Sequence, residues 1–182
     1  MHYVKIGKVL VAILLAACFV PASAPASSLK EGDLGKGSAA PMFVSEDLEG
    51  RKTSLEEIVN SGKSVLLNFW GLRCANCIVE IGYLNAFHEK YKDKGVVFIG
   101  VNVDGVGADA IRKSIPKLPA PPVFTILPDS QFTISELFKM TAAPLSFVIG
   151  KDGKILYRHE DFQPGDEKGI EEALEMAVRQ GK

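Results

Sequence analysis

Short, strongly apolar runs are the main feature of the hydrophobic pattern along the chain. Each run is too short for a typical buried helix and lacks the alternation of a half-exposed strand, so each is predicted to be a buried strand. The three runs cover Ser64–Trp70, residues 96–103 and Leu145–Ile149.

Helical spacing characterises the segments between these strands. In Ala75–Tyr91, apolar side chains recur at steps of three and four residues, the stripe of a helix that packs on a sheet. Shorter helices are predicted for Ala108–Ser114, residues 134–139 and residues 165–180. The last of these has Asp166 available as an N-cap, because a carboxylate there accepts hydrogen bonds from free N–H groups.

Turn and capping signals complete the pattern. Residues 42–47 are expected to form an edge strand, and Ser54-Leu55-Glu56-Glu57 matches a capping box at the start of a short helix. Asp152-Gly153 predicts a tight hairpin between the last two strands. The proline-rich residues 116–122 cannot continue a helix and are expected to lead irregularly into a further strand near residues 123–127.

The order of these elements predicts one α/β domain over residues 41–182, with a mixed central β-sheet and helices on both faces. The chain has 182 residues, 47% of them hydrophobic, which suffices for one core of ordinary size. Lys and Arg number 21 against 22 Asp and Glu, so neither sign is in surplus for binding nucleic acid or an anionic membrane. No nucleic-acid partner is expected.

The N-terminus has the pattern of an export signal, assigned to residues 1–26. Two lysines precede the apolar residues 9–20, a run of twelve that falls short of the roughly 20 needed by a membrane-spanning helix. Cleavage after Ala26 is one interpretation. In the other, Leu15-Ala16-Ala17-Cys18 resembles a bacterial lipoprotein box, in which Cys18 is acylated and anchors the protein to a membrane.

Either form of processing places the protein in the bacterial periplasm or at the outer face of a membrane. Residues 27–40, rich in Ala, Ser, Pro and Gly, are expected to form a flexible linker. The mature domain then keeps two cysteines, Cys74 and Cys77. In an oxidising compartment such a pair can form a disulfide and keep it.

Cys74 and Cys77 form a C-x-x-C pair that could attach haem, bind zinc, staple the fold or exchange electrons. Haem attachment requires histidine after the second cysteine, and Ile78 stands there. Zinc needs four ligands, and the mature chain adds only His88 and His159, far apart in sequence. A bridge across so short a loop removes little entropy from the unfolded chain. Electron exchange is therefore favoured, with no metal and no cofactor besides the disulfide itself.

A position just after a buried strand, at the start of a helix, predicts different roles for the two sulfurs. The free N–H groups and the positive end of the helix dipole favour the thiolate of Cys74, which makes it the attacking sulfur. Cys77 lies one turn deeper and resolves the mixed disulfide. Arg73 either adds to this effect by its charge or is a solvated surface residue. Glu80 either handles protons beneath the pair or belongs to the surface.

Three segments of the chain point to a known family: Asn68-Phe69-Trp70-Gly71, then Cys74-Ala75-Asn76-Cys77 with Glu80, and residues 138–155. Together they resemble the ResA/TlpA group of extracytoplasmic thioredoxin-like proteins, thiol–disulfide oxidoreductases that often serve cytochrome c maturation. The resemblance covers residues 41–180. It implies a thioredoxin-like fold and a redox-active disulfide between Cys74 and Cys77.

The resemblance also implies roles for the residues around the pair. Glu80 stands in the place of the group's buried active-site glutamate. Ala143–Pro144 stands in the place of a cis bond that faces the cysteines, where the backbone of Ala143 would pair with a substrate strand. Trp70 and Arg73 are expected to contact the substrate. The chain departs from the group where tryptophan or proline is usual, at Arg73, Asn76 and Gly82.

The expected function is a protein-disulfide reductase that receives electrons from a membrane thiol carrier and reduces client proteins such as apocytochromes c. Reduction is expected because the negative charge of Glu80 opposes thiolate formation. Two alternatives remain at this point. A Cu(I) metallochaperone would bind copper through both thiolates together with Met140 or His159. A peroxidase of the peroxiredoxin type would need threonine and arginine beside one cysteine.

Overall fold

The structure is a computed structural model that describes residues 1–2 and 34–180. Nearly all of the predicted export signal, residues 1–26, lies outside the described residues, as do Cys18 and the first half of the predicted linker. Within the part of the chain that is described, no helix is both long enough and apolar enough to cross a membrane.

A five-stranded sheet forms the centre of the domain, with a separate two-stranded sheet beside it. The strands are β1 Val44–Glu46, β2 Lys52–Ser54, β3 Ser64–Trp70, β4 Val96–Asn102, β5 Thr125–Pro128, β6 Leu145–Ile149 and β7 Ile155–Glu160. The helices are α1 Leu55–Asn60, α2 Ala75–Tyr91, α3 Ala108–Ser114, α4 Thr133–Leu137 and α5 Glu167–Arg179. Two short 3₁₀ segments, Lys92–Lys94 and Ile115–Lys117, follow α2 and α3.

The central sheet has the order β5-β4-β3-β6-β7 and is mixed, as predicted. Strands β3, β4 and β5 run parallel, whereas β6 is antiparallel to both β3 and β7. Helices α2 and α5 cover one face of the sheet, and α1 and α4 cover the other. Because both faces are covered, every residue of β3 is buried, which explains why its sequence is strongly apolar and does not alternate with polar residues.

Several local predictions are confirmed. Ser54 caps α1, since its side chain accepts a hydrogen bond from the N–H of Glu57. Strands β6 and β7 form the predicted hairpin, in which Gly153 adopts a positive φ of 75° that suits glycine in a tight turn. Helix α2 and strands β3 and β6 have the predicted bounds.

Two local details differ from the sequence predictions. The edge strand expected at residues 42–47 is present as β1, but it pairs with β2, a strand that was not predicted, outside the central sheet. Asp166 precedes α5, but its carboxylate makes no capping bond. It accepts a hydrogen bond from the N–H of Gln163 at 2.8 Å and lies beside His159. The helical pattern of α5 could not reveal that Asp166 pairs with His159, because His159 belongs to strand β7.

The linker prediction fails for its described part, residues 34–40. The N–H of Gly37 donates to the carbonyl of Ile155 at 2.7 Å, and the N–H of Ala40 donates to that of Gly153 at 2.9 Å. Ala40 is buried. Small side chains allow this backbone to lie close to the β6–β7 hairpin, so main-chain hydrogen bonds order a segment whose composition suggested flexibility.

A matched pair of glycine substitutions tests the packing of the core. A Cβ atom at Gly100 would lie 2.8 Å from Ile126 Cδ1 and 3.0 Å from both Phe124 Cε2 and Trp70 Nε1. We expect Gly100→Ala to lower the free energy of unfolding by about 1–3 kcal/mol, because the core around Trp70 has no room for the methyl group. Urea unfolding measures this change.

Gly82→Ala is the control for that measurement. Gly82 lies in α2 and is exposed, and its nearest neighbour would be Ala120 Cβ at 4.0 Å. The same substitution should therefore raise stability by about 0.5–1 kcal/mol through helix propensity. A Gly100→Ala variant as stable as the wild type would contradict the packing described for Trp70.

Candidate active site

Cys74 and Cys77 lie at the junction of β3 and α2 and form a disulfide. The S–S distance is 2.07 Å and the Cα atoms are 5.2 Å apart. Cys74 is the N-cap of α2, and the N–H of Cys77 points at Cys74 Sγ over 3.2 Å. Cys77 is fully buried, whereas Cys74 is partly exposed. A partner protein can therefore reach Cys74 and not Cys77, and a helix N-terminus stabilises negative charge on Cys74.

The loop before β6 faces this pair from the neighbouring strand. The bond between Ala143 and Pro144 is cis, as expected, and the carbonyl oxygen of Ala143 lies 3.8 Å from Cys74 Sγ. Pro144 is buried and Ala143 is partly exposed. Asp161 connects the two halves of the site: its N–H donates to the Pro144 carbonyl at 3.1 Å, and its carboxylate lies 3.4 Å from Asn76 Nδ2.

Glu80 lies in α2 one turn beyond Cys77 and is only 1% exposed. Its carboxylate accepts hydrogen bonds from Ser146 Oγ at 2.7 Å and from Asn68 Nδ2 at 2.9 Å. Burial raises the pKa of Glu80 from 4.5 to about 7. The two hydrogen bonds favour the charged form and lower the pKa in part, while the charge of Asp166 raises it further. Glu80 can therefore take up and release a proton near neutral pH.

Asn68 and Ser146 are functional neighbours that sequence reasoning missed. They are Cα partners across β3 and β6, and both are buried. Asn68 Nδ2 also donates to Ser146 Oγ at 3.0 Å, and Asn68 Oδ1 has no hydrogen-bond partner among the described residues. The available signal was a polar residue inside each of two strongly apolar strands. Such a residue needs a buried polar partner, because an unsatisfied buried polar group costs about 1–3 kcal/mol.

Trp70 does not belong to the substrate surface, which corrects the sequence prediction. Its side chain is fully buried in the core cluster that includes Cys77 and Ile81. Trp70 occupies the face of β3 that packs beneath α2, so it supports the cysteine pair from inside. Arg73 is exposed at the rim, and the described structure shows no ion pair or hydrogen bond of its side chain.

The residues expected to assist copper binding are not brought together with the cysteines. Met140 packs against the hydrophobic cluster on the other face of the sheet from Cys77. His159 is paired with Asp166, at 3.1 Å between Nε2 and Oδ2. Among the residues that the structure describes, no three histidine, cysteine or acidic side chains converge on a candidate metal position.

Comparison with known proteins identifies the family. A family profile described as AhpC/TSA matches residues 36–158. The thiol-disulfide oxidoreductase ResA of Bacillus thuringiensis subsp. konkukian is 36% identical over 127 residues, which are 70% of each chain. The chain belongs to the AhpC/TSA family, among its ResA-like thiol-disulfide oxidoreductases.

Further similarities agree with this assignment to the ResA-like oxidoreductases. ResA of Bacillus subtilis is 30% identical over 123 residues, 68% of this chain and 66% of that protein. The crystal structure of a DsbE-like thiol:disulfide interchange protein from Chlorobium tepidum has a TM-score of 0.71 and 31% identity, and the match covers 80% of this chain and 99% of that one. The predicted thioredoxin-like fold and oxidoreductase class are therefore confirmed.

The raised pKa of Glu80 predicts a pH-dependent stability. A neutral Glu80 stabilises the folded state fully below pH 4.5, and this contribution is lost as the pH rises through about 7. We expect the oxidised wild type to lose about 2–3 kcal/mol relative to Glu80→Gln between pH 5 and pH 8, since one pKa unit corresponds to ~1.4 kcal/mol. Urea unfolding of both oxidised proteins at the two pH values measures the difference. Parallel pH profiles would contradict the assignment.

Proposed function

We propose that this ResA-like oxidoreductase is exported and reduces disulfides in client proteins. The observation that carries the proposal is the asymmetry of the pair: Cys74 is accessible at the start of α2, and Cys77 is fully buried behind it. A client disulfide can approach the sulfur of Cys74 but not that of Cys77. This arrangement suits attack by Cys74 followed by resolution of the mixed disulfide by Cys77.

The proposed reaction transfers two electrons from the cysteine pair to the client. In the reduced protein, the Cys74 thiolate attacks one client sulfur, a mixed disulfide forms, and the first client thiolate leaves. The Cys77 thiolate then attacks Cys74 Sγ, which re-forms the internal disulfide and releases the second client thiolate. Glu80 accepts the proton of the Cys77 thiol, and the two client thiolates take up protons from solvent or from protein groups.

The rim of the pair supplies the proposed binding surface. The partly exposed backbone of Ala143, beside the cis bond to Pro144, lies near Cys74 Sγ and suits pairing with an extended client segment. Arg73 is exposed next to Cys74 and adds a positive charge to the same surface. Main-chain pairing would hold clients of different sequence, because it does not depend on their side chains.

Glu80 also supports the direction of electron flow. A carboxylate beneath the pair disfavours a thiolate, whereas strong oxidants of this chemistry rely on a highly stabilised thiolate. We therefore assign a reducing role, with electrons from a membrane thiol carrier and apocytochromes c as the client class that the ResA/TlpA resemblance implies. A reduction potential near the roughly −120 mV of the strong oxidant DsbA would reverse the direction and leave the reaction class intact.

Trapping a client tests this function directly. Cys77→Ser removes the resolving sulfur, so the mixed disulfide between Cys74 and its client should persist. We expect the variant, purified from native membranes and their soluble extract, to carry disulfide-linked partners that mass spectrometry identifies. The Cys74→Ser variant is the matched control, because its remaining sulfur is buried. Equal capture by both variants would contradict the roles assigned to the two sulfurs.

The mass of the mature N-terminus tests the proposed export. Processing at a lipoprotein box would leave an acylated Cys18 as the first residue, and conventional cleavage after Ala26 would leave Ser27. Cys18→Ala should abolish the lipid-modified form and leave the conventional one. A mature protein that retains Met1 would contradict export.

A further inference from the structure

Glu80 is sealed from solvent, although its proposed role requires it to exchange protons. Its exposure is 1%, and that of its hydrogen-bond donor Ser146 is 2%. Its other donor, Asn68, is fully buried. Because Glu80 must be ionised before it can accept the proton of Cys77, the proton that it holds below pH 7 has to leave through the protein.

A row of polar residues crosses the sheet directly beneath Glu80. Asn68 on β3 is the Cα partner of Ser146 on β6, and Ser146 is the Cα partner of His159 on β7. Residues directly opposite each other on antiparallel strands project from the same face, with Cβ atoms about 4.5–5.5 Å apart. The row therefore leads from the buried centre of the sheet to its edge strand, on the face that carries Glu80.

His159 is the member of this row that reaches water. Its side chain is 20% exposed, and that of Asp166 is 37% exposed. Asp166 Oδ2 lies 3.1 Å from His159 Nε2 and also accepts the N–H of Gln163, which fixes the carboxylate in place. In the tautomer that carries its proton on Nε2, His159 donates a hydrogen bond to Asp166, and its Nδ1 can accept a proton. The hydroxyl oxygen of Tyr157 lies 3.4 Å from His159 Nδ1.

Titratable groups from three elements lie on this side of the sheet. Tyr157 faces His159 from the same strand, Asp166 and Glu172 belong to the α5 region, and Glu80 belongs to α2. The charge of Asp166 raises the pKa of Glu80, and burial raises the pKa of Tyr157, with smaller contributions from Asp166, Glu172 and Glu80. The charge of Asp166 therefore acts on both Glu80 and Tyr157.

We propose that His159, oriented by Asp166, is the proton port of Glu80 and connects it to solvent through the hydroxyl of Ser146. This inference rests on the proposed role of Glu80. Glu80 gives its proton to Ser146 Oγ while Ser146 gives its own hydroxyl proton to His159 Nδ1 through one bridging water. His159 then releases a proton to bulk water. The net change is one carboxylic acid converted to carboxylate and one proton released, with no change in electron count.

His159→Gln tests the port, because glutamine can keep a hydrogen bond to Asp166 and cannot carry the proton. Oxidation of the reduced protein by a small-molecule disulfide is followed through the fluorescence of Trp70, the only tryptophan, which lies in the same core cluster as Cys77. We expect a roughly tenfold loss of rate at pH 6, little loss at pH 8, and recovery at pH 6 when imidazole is added to the buffer. The reduction potential should stay unchanged, because a proton port alters rates and not equilibria.

Two further variants make the result decisive. His88→Gln is the matched control, since the His88 side chain is similarly buried at 21% exposure but packs against Phe98 and Phe124, away from the polar row. Its rates should equal those of the wild type. Asp166→Asn should reproduce the pH 6 loss and lower the pH at which the stability contribution of Glu80 is lost, because a negative charge is removed.

The outcomes separate this inference from the proposed function. Wild-type activity with no rate change in His159→Gln, or a loss that imidazole does not restore, would overturn the port and leave the reductase intact. A wild type that does not react with disulfides would overturn the proposed function itself. A rate loss of equal size in His88→Gln would show that the effect is structural and would also overturn the port.

Discussion

The burial of one carboxyl group constrains the whole site. Glu80 lies beneath the cysteine pair with almost no exposure, and two hydrogen bonds from Asn68 and Ser146 offset only part of the cost of removing its charge from water. Its pKa consequently stays near neutrality, where a group can act as acid and base in one cycle. The polar residues that interrupt two apolar strands are there because this carboxyl group needs them.

The covering of both sheet faces determines how the two sulfurs differ. Strand β3 is buried along its length, and its end fixes the position at which α2 begins. There the first cysteine remains at the surface as the helix cap, while the second turns inward onto the core beside Trp70. Accessibility and reactivity thus follow from where a strand ends and a helix begins.

The sequence predicted the helix with strong periodicity, the strands marked by short apolar runs, and the chemistry of the two cysteines within one helix. Helix α2, strands β3 and β6, and the position of both cysteines at the start of α2 depend on local patterns. The buried place of Glu80 was given by the family resemblance, because spacing within the helix left it open. The burial of Trp70 agrees with the predicted buried strand, because a strand covered on both faces buries all of its side chains. The role at the substrate surface was taken from the family resemblance and not from the hydrophobic pattern. The polar row through Ser146 and His159 depends on strand register between distant segments. Residues 34–40 are ordered by main-chain hydrogen bonds, and amino-acid composition does not indicate where such bonds form.

The segment between β7 and α5 contacts both the loop that faces Cys74 and the histidine of the proposed proton port. Asp161, with a left-handed φ of 54°, bonds to the backbone of Pro144 and contacts Asn76 between the cysteines. Five residues later, Asp166 holds His159. A change in the backbone of this single surface segment would therefore alter the proposed client-binding surface and the surroundings of His159 together.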